Sequence, residues 1–290
     1  MTAAVHDSPG VAALRRRAPE GDIPTLDWEG QPLDCSGCAY AQLRGQPEPQ
    51  GCEPGHSCVQ DAYARRIDRF FRAHRALARE QLRHPYFEVR AIAARYADPF
   101  QLPALLHDPD ETVRLQVALR VPQRLLREML SDPHREVRIR VAQRIDSDQL
   151  SRLVADEDYE VRATVARRLP VALLPLLVSD ADVQVRCAVA RRLEMPSLWR
   201  LVSDPAVEVR CLVAERLPAA LLGPLLRDRE WRVRWEAAGR APAELAGLLY
   251  ELCDDEDAEV ALRARERLAE LGLAAADARA VVPSQPHSDA

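Results

Sequence analysis

Four of the chain's seven cysteines, Cys35, Cys38, Cys52 and Cys58, fall within 24 residues in the pattern C-x2-C-x13-C-x5-C. Thiolates are the soft donors that hold zinc or iron–sulfur centres. The first pair, two residues apart, puts two thiolates on one turn. Gly37, Gly45, Gly51 and Gly55, with Pro47, Pro49 and Pro54, make the remainder a turn-rich wrap around a bound centre. Amides in such a wrap can bond cluster sulfurs and tune a redox potential. Zinc is the rival on spacing alone, because C-x2-C is a favoured zinc pair and His56 could replace Cys52 or Cys58. The wider C-x5-C favours a cluster slightly. Disulfides are a remote third reading, since clustered thiols in a reducing compartment hold metals.

The other three cysteines differ in context. Cys187 and Cys211 share one column of an internal repeat with Ala91, Leu115, Ile139, Ala163 and Trp235, so they read as core fillers. Cys253 lies in the loosened last unit and reads as structural.

That repeat dominates the remainder of the 290 residues. Val-Arg recurs every 24 residues at Arg90, Arg114, Arg138, Arg162, Arg186, Arg210 and Arg234, each preceded by its valine. Alanine follows each valine by five residues. Aspartate precedes it by five in six units (Asp108, Asp132, Asp156, Asp180, Asp204, Asp228), and the first unit has His84 there. A worn eighth copy, with Asp255, Val260, Arg267 and Leu268, comes three residues late.

The unit DPAVEVRCLVAERLPAALLGPLLR predicts one helix of about 12–13 residues, with Asp204 as N-cap and Pro205 as first residue. The ten or so residues after it leave room for one short helix, of 3₁₀ type. A single unit cannot bury its apolar surface, whereas stacked units can, which predicts an α-solenoid. The Val-Arg arginine points into the middle of the apolar arc, where a charge is costly unless paired. A ladder follows: each such arginine bonds an N-cap aspartate of its own or the next unit. Nine residues after each valine, acids (Asp98, Asp146, Glu194) alternate with prolines (Pro122, Pro170, Pro218, Pro242), a 48-residue period that ends at the last unit.

The unit DPxxxVRxxVAxRLPxxLLxxLL, seen at 132–153 and 204–225, resembles the leucine-rich repeat variant family over about 85–271. HEAT repeats, which carry a similar Asp and Val-Arg but are much longer, are the weaker match. The resemblance implies an all-α, right-handed superhelix of alternating α and 3₁₀ helices. It also implies a small N-terminal cysteine domain with a [4Fe-4S] cluster, which makes Cys35, Cys38, Cys52 and Cys58 its ligands and leaves Zn2+ as the alternative cofactor. The family has no catalytic activity to carry over.

The expected domains are 1–60 (cysteine-rich), 61–83 (a basic amphipathic helix), 84–271 (solenoid) and 272–290 (a disordered tail). Ser57 is expected to cap a helix from about Cys58 to Arg83. Arg65, Arg69, Arg72, Arg79 and Arg83 form a stripe along it, flanked by Arg66 and Arg75. A solvated face is the plain reading of that stripe, and an anion or nucleic-acid surface the sharper one. His74, on the apolar face, reads as packed.

Several function classes are disfavoured. The net charge of −5 argues against a whole-protein polyanion binder. The positive charge is all arginine, with no lysine. No apolar run reaches the roughly 20 residues of a membrane span, and residues 1–22 lack the apolar core of a secretory signal, so a cytoplasmic protein is expected. There is no Gly-rich phosphate loop, no G-x-S-x-G and no H-E-x-x-H, and the seven histidines are scattered. The expected protein is therefore non-enzymatic: a binding scaffold for a protein on the concave surface, with an oxygen- or redox-responsive cluster. A nucleic-acid-binding regulator is the alternative, and no small-molecule substrate is implied.

Overall fold

The computed structural model describes residues 23–47 and 50–273. The expected tail therefore lies outside the described residues from 274 onward. The chain divides into two compact units, residues 1–125 and 126–290.

In the first unit the cysteine-bearing segment has no regular element beyond one 3₁₀ turn at Ala41–Leu43 and three isolated bridges, Leu26 with Pro32, Arg44 with Cys52 and Glu53 with Ser57. It leads into α1 (Ala64–Ala73), a 3₁₀ helix at Arg75–Gln81, α2 (Phe87–Tyr96), a 3₁₀ helix at Pro99–Leu105 and α3 (Glu111–Ala118). A four-residue α4 (Gln123–Leu126) falls at the division. The second unit holds α5 (Arg135–Arg144), α6 (Tyr159–Arg168), α7 (Val183–Ala190), α8 (Val207–Arg216), α9 (Trp231–Arg240), α10 (Ala246–Leu252) and α11 (Ala258–Glu270). There, α5 to α9 pack each on the next, and α9 packs on α11. The repeat valines and alanines fill the space between them: Val137, Val161, Val185, Val209, Ala166, Ala190 and Ala214 are completely buried.

The short second element of each repeat is a 3₁₀ helix in most units, as the available chain length requires. Examples are Ser147–Leu153 and Val171–Leu177. The acid and proline variants start the same turn differently. Asp98 accepts the Phe100 N–H, whereas Pro170 supplies a preset φ of −51°. In the last unit α10 replaces the 3₁₀ helix and absorbs the three extra residues.

The long helices begin later and run shorter than expected. Asp204 is not the N-cap of α8: it lies two residues before it, accepts the Ala206 N–H at 2.9 Å, and the helix spans ten residues from Val207. Asp-Pro builds a side-chain-closed turn first, and Ala206 in extended conformation then starts the helix. The helix ends at Leu217, which is extended, as a residue before proline must be.

The ladder forms between units. Each arginine fork reaches 18 residues ahead, Nε to Oδ2 and Nη2 to Oδ1: Arg90 to Asp108, Arg138 to Asp156, Arg162 to Asp180, Arg186 to Asp204 and Arg210 to Asp228, all at 2.7–3.0 Å. Arg234 reaches Asp255, 21 residues ahead, so the worn copy keeps the rung. Nη1 of each donates back to carbonyls of its own turn, as Arg162 does to Asp156 and Glu157. The side chains are nearly inaccessible; Arg210 is 4% exposed. Burial alone would raise the Asp180 carboxyl, but the Arg162 fork and the Asp182 N–H outweigh it and hold the group below its ordinary range.

A second arginine ladder lies seven residues after the repeat valine. Arg120, Arg168, Arg192, Arg216, Arg240 and Arg267 each donate to the carbonyl at the C-terminal end of the preceding repeat helix: Ala94, Ala142, Ala166, Ala190, Ala214 and Ala241, respectively. These are helix-end acceptors that have no partner within the helix. The Arg column was visible in the sequence at the same 24-residue period, but its exposed-looking position hid its use.

Candidate metal centre

The four cysteines come from three separate turns. Asp34 closes the first, its carboxylate accepting both the N–H and the hydroxyl of Ser36, which sets Cys35 and Cys38 on one bend. The Cys38 carbonyl accepts from Ala41 and starts the 3₁₀ turn. That turn delivers Leu43, whose carbonyl accepts the Cys52 N–H at 3.1 Å. Gly45 turns the chain at φ +80°, and Gly51 allows it to return, because a Cβ there would strike the Gln46 carbonyl. A hairpin across Glu53 and Ser57, with Gly55 at φ +80°, then presents Cys58. The Cys58 N–H donates to the Arg66 carbonyl of α1 at 3.2 Å, which ties the last cysteine to the first long helix.

The result is one cavity lined by all four thiols together with Leu33, Asp34, Tyr40, Ala41, Arg44 and Gln60. Cys52 and Cys58 are buried, and Cys35 and Cys38 are half-buried toward the mouth. Amide donors point at two sulfurs: Tyr40 N–H at Cys38 Sγ, 3.4 Å, and the Gln60 and Asp61 N–H groups at Cys58. Cys52 also donates to Cys58, and this hydrogen bond holds the Cys58 thiol down at about 7 despite its burial. The same bond, then burial and the other three thiols, pushes Cys52 upward. Among the described residues no three His, Cys, Asp or Glu groups are placed to hold a single metal ion. The thiols of Cys187, Cys211 and Cys253 are each raised by burial and lie elsewhere.

The donor set fits an iron–sulfur cluster: four thiols around one space, with amide N–H groups directed at sulfur. His56 lies outside the cavity lining; its carbonyl accepts from Arg69 at 3.2 Å. Tyr40 and Gln60 were missed by sequence reasoning. Tyr40 is 5% exposed, packs on Phe70 at 5.4 Å, and its hydroxyl donates to Glu80 and accepts from Gln81. It fastens the wrap to the helices behind it. Gln60 faces His84, 3.5 Å away, and His84 sits edge-on to Trp28 at 4.7 Å. His84 thus occupies the aspartate position of the first repeat, in a unit with no preceding arginine to bond, and packs on the cysteine-bearing segment instead.

The expected helix from Cys58 to Arg83 is broken. Cys58, Val59 and Asp61 are buried, Asp61 accepts the Tyr63 N–H, and α1 starts only at Ala64. Ser57 is not its cap. His74 leaves the helical region at φ −121°, ψ 54°, and the chain continues as a 3₁₀ helix so that Ala78 and Leu82 turn inward. The arginine stripe is divided accordingly. Arg65, Arg69 and Arg72 lie on α1, Arg79 lies on the 3₁₀ helix and Arg83 follows it. Arg69 bonds His56, Arg72 pairs with Asp68 at 2.7 Å, and Arg66 is buried on Asp61. His74 is packed against Phe70, as expected.

Fold and site together define a helical-repeat protein with a cysteine-lined cavity at the front of its repeats. A family model described as the LRV protein FeS4 cluster matches residues 25–80, and one described as leucine rich repeat variant matches 87–110 and 159–182. A solved structure, described as a leucine-rich repeat variant with a novel repetitive protein structural motif, is 42% identical with a TM-score of 0.75. That match covers 81% of this chain and 99% of the other. The chain belongs to the leucine-rich repeat variant family. An uncharacterized 27.7 kDa protein in the nifB 3′ region of Rhodobacter capsulatus is 50% identical over 104 residues, 36% of this chain, and the chain spans 41% of its length. No helix among the described residues is long and apolar enough to cross a membrane.

Proposed function

We propose that this is a non-enzymatic cytoplasmic binding scaffold whose N-terminal segment carries a [4Fe-4S] cluster on Cys35, Cys38, Cys52 and Cys58. One observation carries the reading: four thiols from three turns surround a shared space rather than converge on a point, which suits a polynuclear centre better than one zinc ion. The cluster supplies one-electron chemistry when bound. The chain's own residues hold it by four thiolates, with N–H bonds from Tyr40, Gln60 and Asp61 offsetting charge on the sulfurs. The Cys35/Cys38 edge is the more exposed, which supports an oxygen- or redox-responsive role.

Anaerobic purification tests this. About four iron and four sulfide per chain, with broad absorption near 400 nm, is the expected result; colourless protein with one zinc overturns it. Capture of partners by the oxidised, reduced and cluster-free forms then tests sensing, and identical partners in all three states count against it.

A further inference from the structure

The last strict repeat departs from its predecessors at two columns. Trp231 stands where Val183 and Val207 stand in the preceding units, and Trp235 where Cys187 and Cys211 stand. Both lie on the first turns of α9, four residues apart and hence on one face. They are 40% and 39% exposed. Two half-exposed tryptophans side by side are costly in water unless something covers them.

Each ring is held from one side by an arginine. Arg232 lies over Trp231 at 5.8 Å and Arg263 over Trp235 at 5.5 Å. A gap in the repeat pattern makes room for the second: Gly239 stands where other units have Arg191 or Glu215, and a Cβ there would come within 2.5 Å of the Arg263 guanidinium. Trp231, Trp235, Arg232 and Glu259 line an open depression of about 330 Å³.

The charges decide what fits it. Arg232 is matched by Glu230 at 3.5 Å, and Arg263 by Glu266 at 3.4 Å. Glu259, at the start of α11, is exposed, and its carboxylate makes no ion pair among the described residues. On α9 itself Glu236 is half-buried; burial raises its carboxyl, and Glu215 on α8 raises it further, against Arg240 and Arg263. The face therefore offers aromatic walls with an acidic surplus. Indole faces attract cations, more strongly once water is displaced.

We infer that the Trp231–Trp235 depression is a docking site for a basic side chain, arginine or lysine, of a partner polypeptide, with Glu259 as its counter-charge. This names the partner chemistry for the binding-scaffold reading and rests on it. The site belongs to the second compact unit, so failure of the metal analysis and failure of this site are separate results.

The test is titration of the full chain with the peptide acetyl-(Gly-Arg)₄-amide, followed by tryptophan fluorescence, with (Gly-Glu)₄ and (Gly-Leu)₄ peptides as comparators. The Gly-Arg peptide is expected to saturate, and to weaken as salt rises. The double variant Trp231→Val, Trp235→Leu restores residues the repeat uses at those columns, so it should melt as the parent does yet bind about tenfold more weakly. Glu259→Gln leaves both rings in place and should weaken Gly-Arg binding several-fold without altering the Gly-Leu response. Equal binding of the Gly-Leu or Gly-Glu peptide overturns the proposal. So does Gly-Arg binding that survives both variants.

Discussion

The repeats and the cysteine-bearing segment solve the same problem of polar satisfaction in opposite ways. In the second compact unit nearly every polar atom of the interior is met by a device repeated every 24 residues. Five printed rungs of the Arg–Asp ladder and the carbonyl-binding arginines have the same geometry from unit to unit. Residues 23–60 have no such regularity. Their order comes from single-use contacts: Asp34 on Ser36, Gly51 against Gln46, Tyr40 on Phe70 and Glu80, Arg66 on Asp61. The array can lose one rung and keep the others, because its stability is nearest-neighbour in character. The wrap cannot, because four of its residues face one cavity.

The largest expected effect breaks that contrast most directly. Cys58→Ala should eject the metal centre and abolish amide-exchange protection through residues 33–58, while α6 to α8 keep theirs. Structural metal centres contribute about 10 kcal/mol of folding free energy in small domains. Unchanged protection in the wrap would mean that its own contacts suffice.

Next in size is a rung of the ladder. Arg162→Ala leaves Asp180, with a 6% exposed side chain, buried without its fork, and should cost about 3–5 kcal/mol in urea unfolding. A change below about 1 kcal/mol would show that the aspartate turn stands alone. The same rungs set the acid response. Asp180, Asp228 and Asp255 are held below the ordinary carboxylate range, burial being outweighed by the arginine fork and an N–H bond. A depressed folded value gives stability that is full above the unfolded value of about 3.9 and lost as pH falls through the folded one. Stability should thus be flat above about pH 5 and fall below pH 4, less steeply in Asp180→Asn.

Smaller is the second ladder. Arg192→Met keeps the stem but leaves the Ala166 carbonyl without its donor, and should cost about 1–3 kcal/mol. Smallest is Arg227→Ala. Arg227 and Glu251 are 65% and 61% exposed, and the pair should contribute less than about 1 kcal/mol. If Arg227→Ala matched Arg162→Ala, burial would not be what makes the ladder strong.

The arginine usage follows from both ladders. A planar fork with donors on both sides meets a carboxylate with Nε and Nη2 while Nη1 turns back to carbonyls; an ammonium cannot do this. The helical repeat, the buried arginine column and the four-cysteine set were legible because each is a pattern of residue types along the chain. The helix boundaries were not. Asp-Pro reads equally well as a cap or as a turn before the cap, and packing chose the turn. The continuous helix from Cys58 to Arg83 was an error of the same kind: its 3.6-residue periodicity was real, but Asp61 and Tyr40 demanded contacts that an unbroken helix cannot supply.

By itself, the sequence determined the period, the helical class and which cysteines stand apart, because these depend on local spacing and repeated apolar positions. Only the tertiary structure decided which aspartate each arginine meets, that a second arginine column closes the helix ends, and that Tyr40, Gln60 and Arg44 share the cysteine cavity. Those pairings span 18 to 41 residues of chain. No local pattern encodes distances that are set only when one unit comes to rest against another.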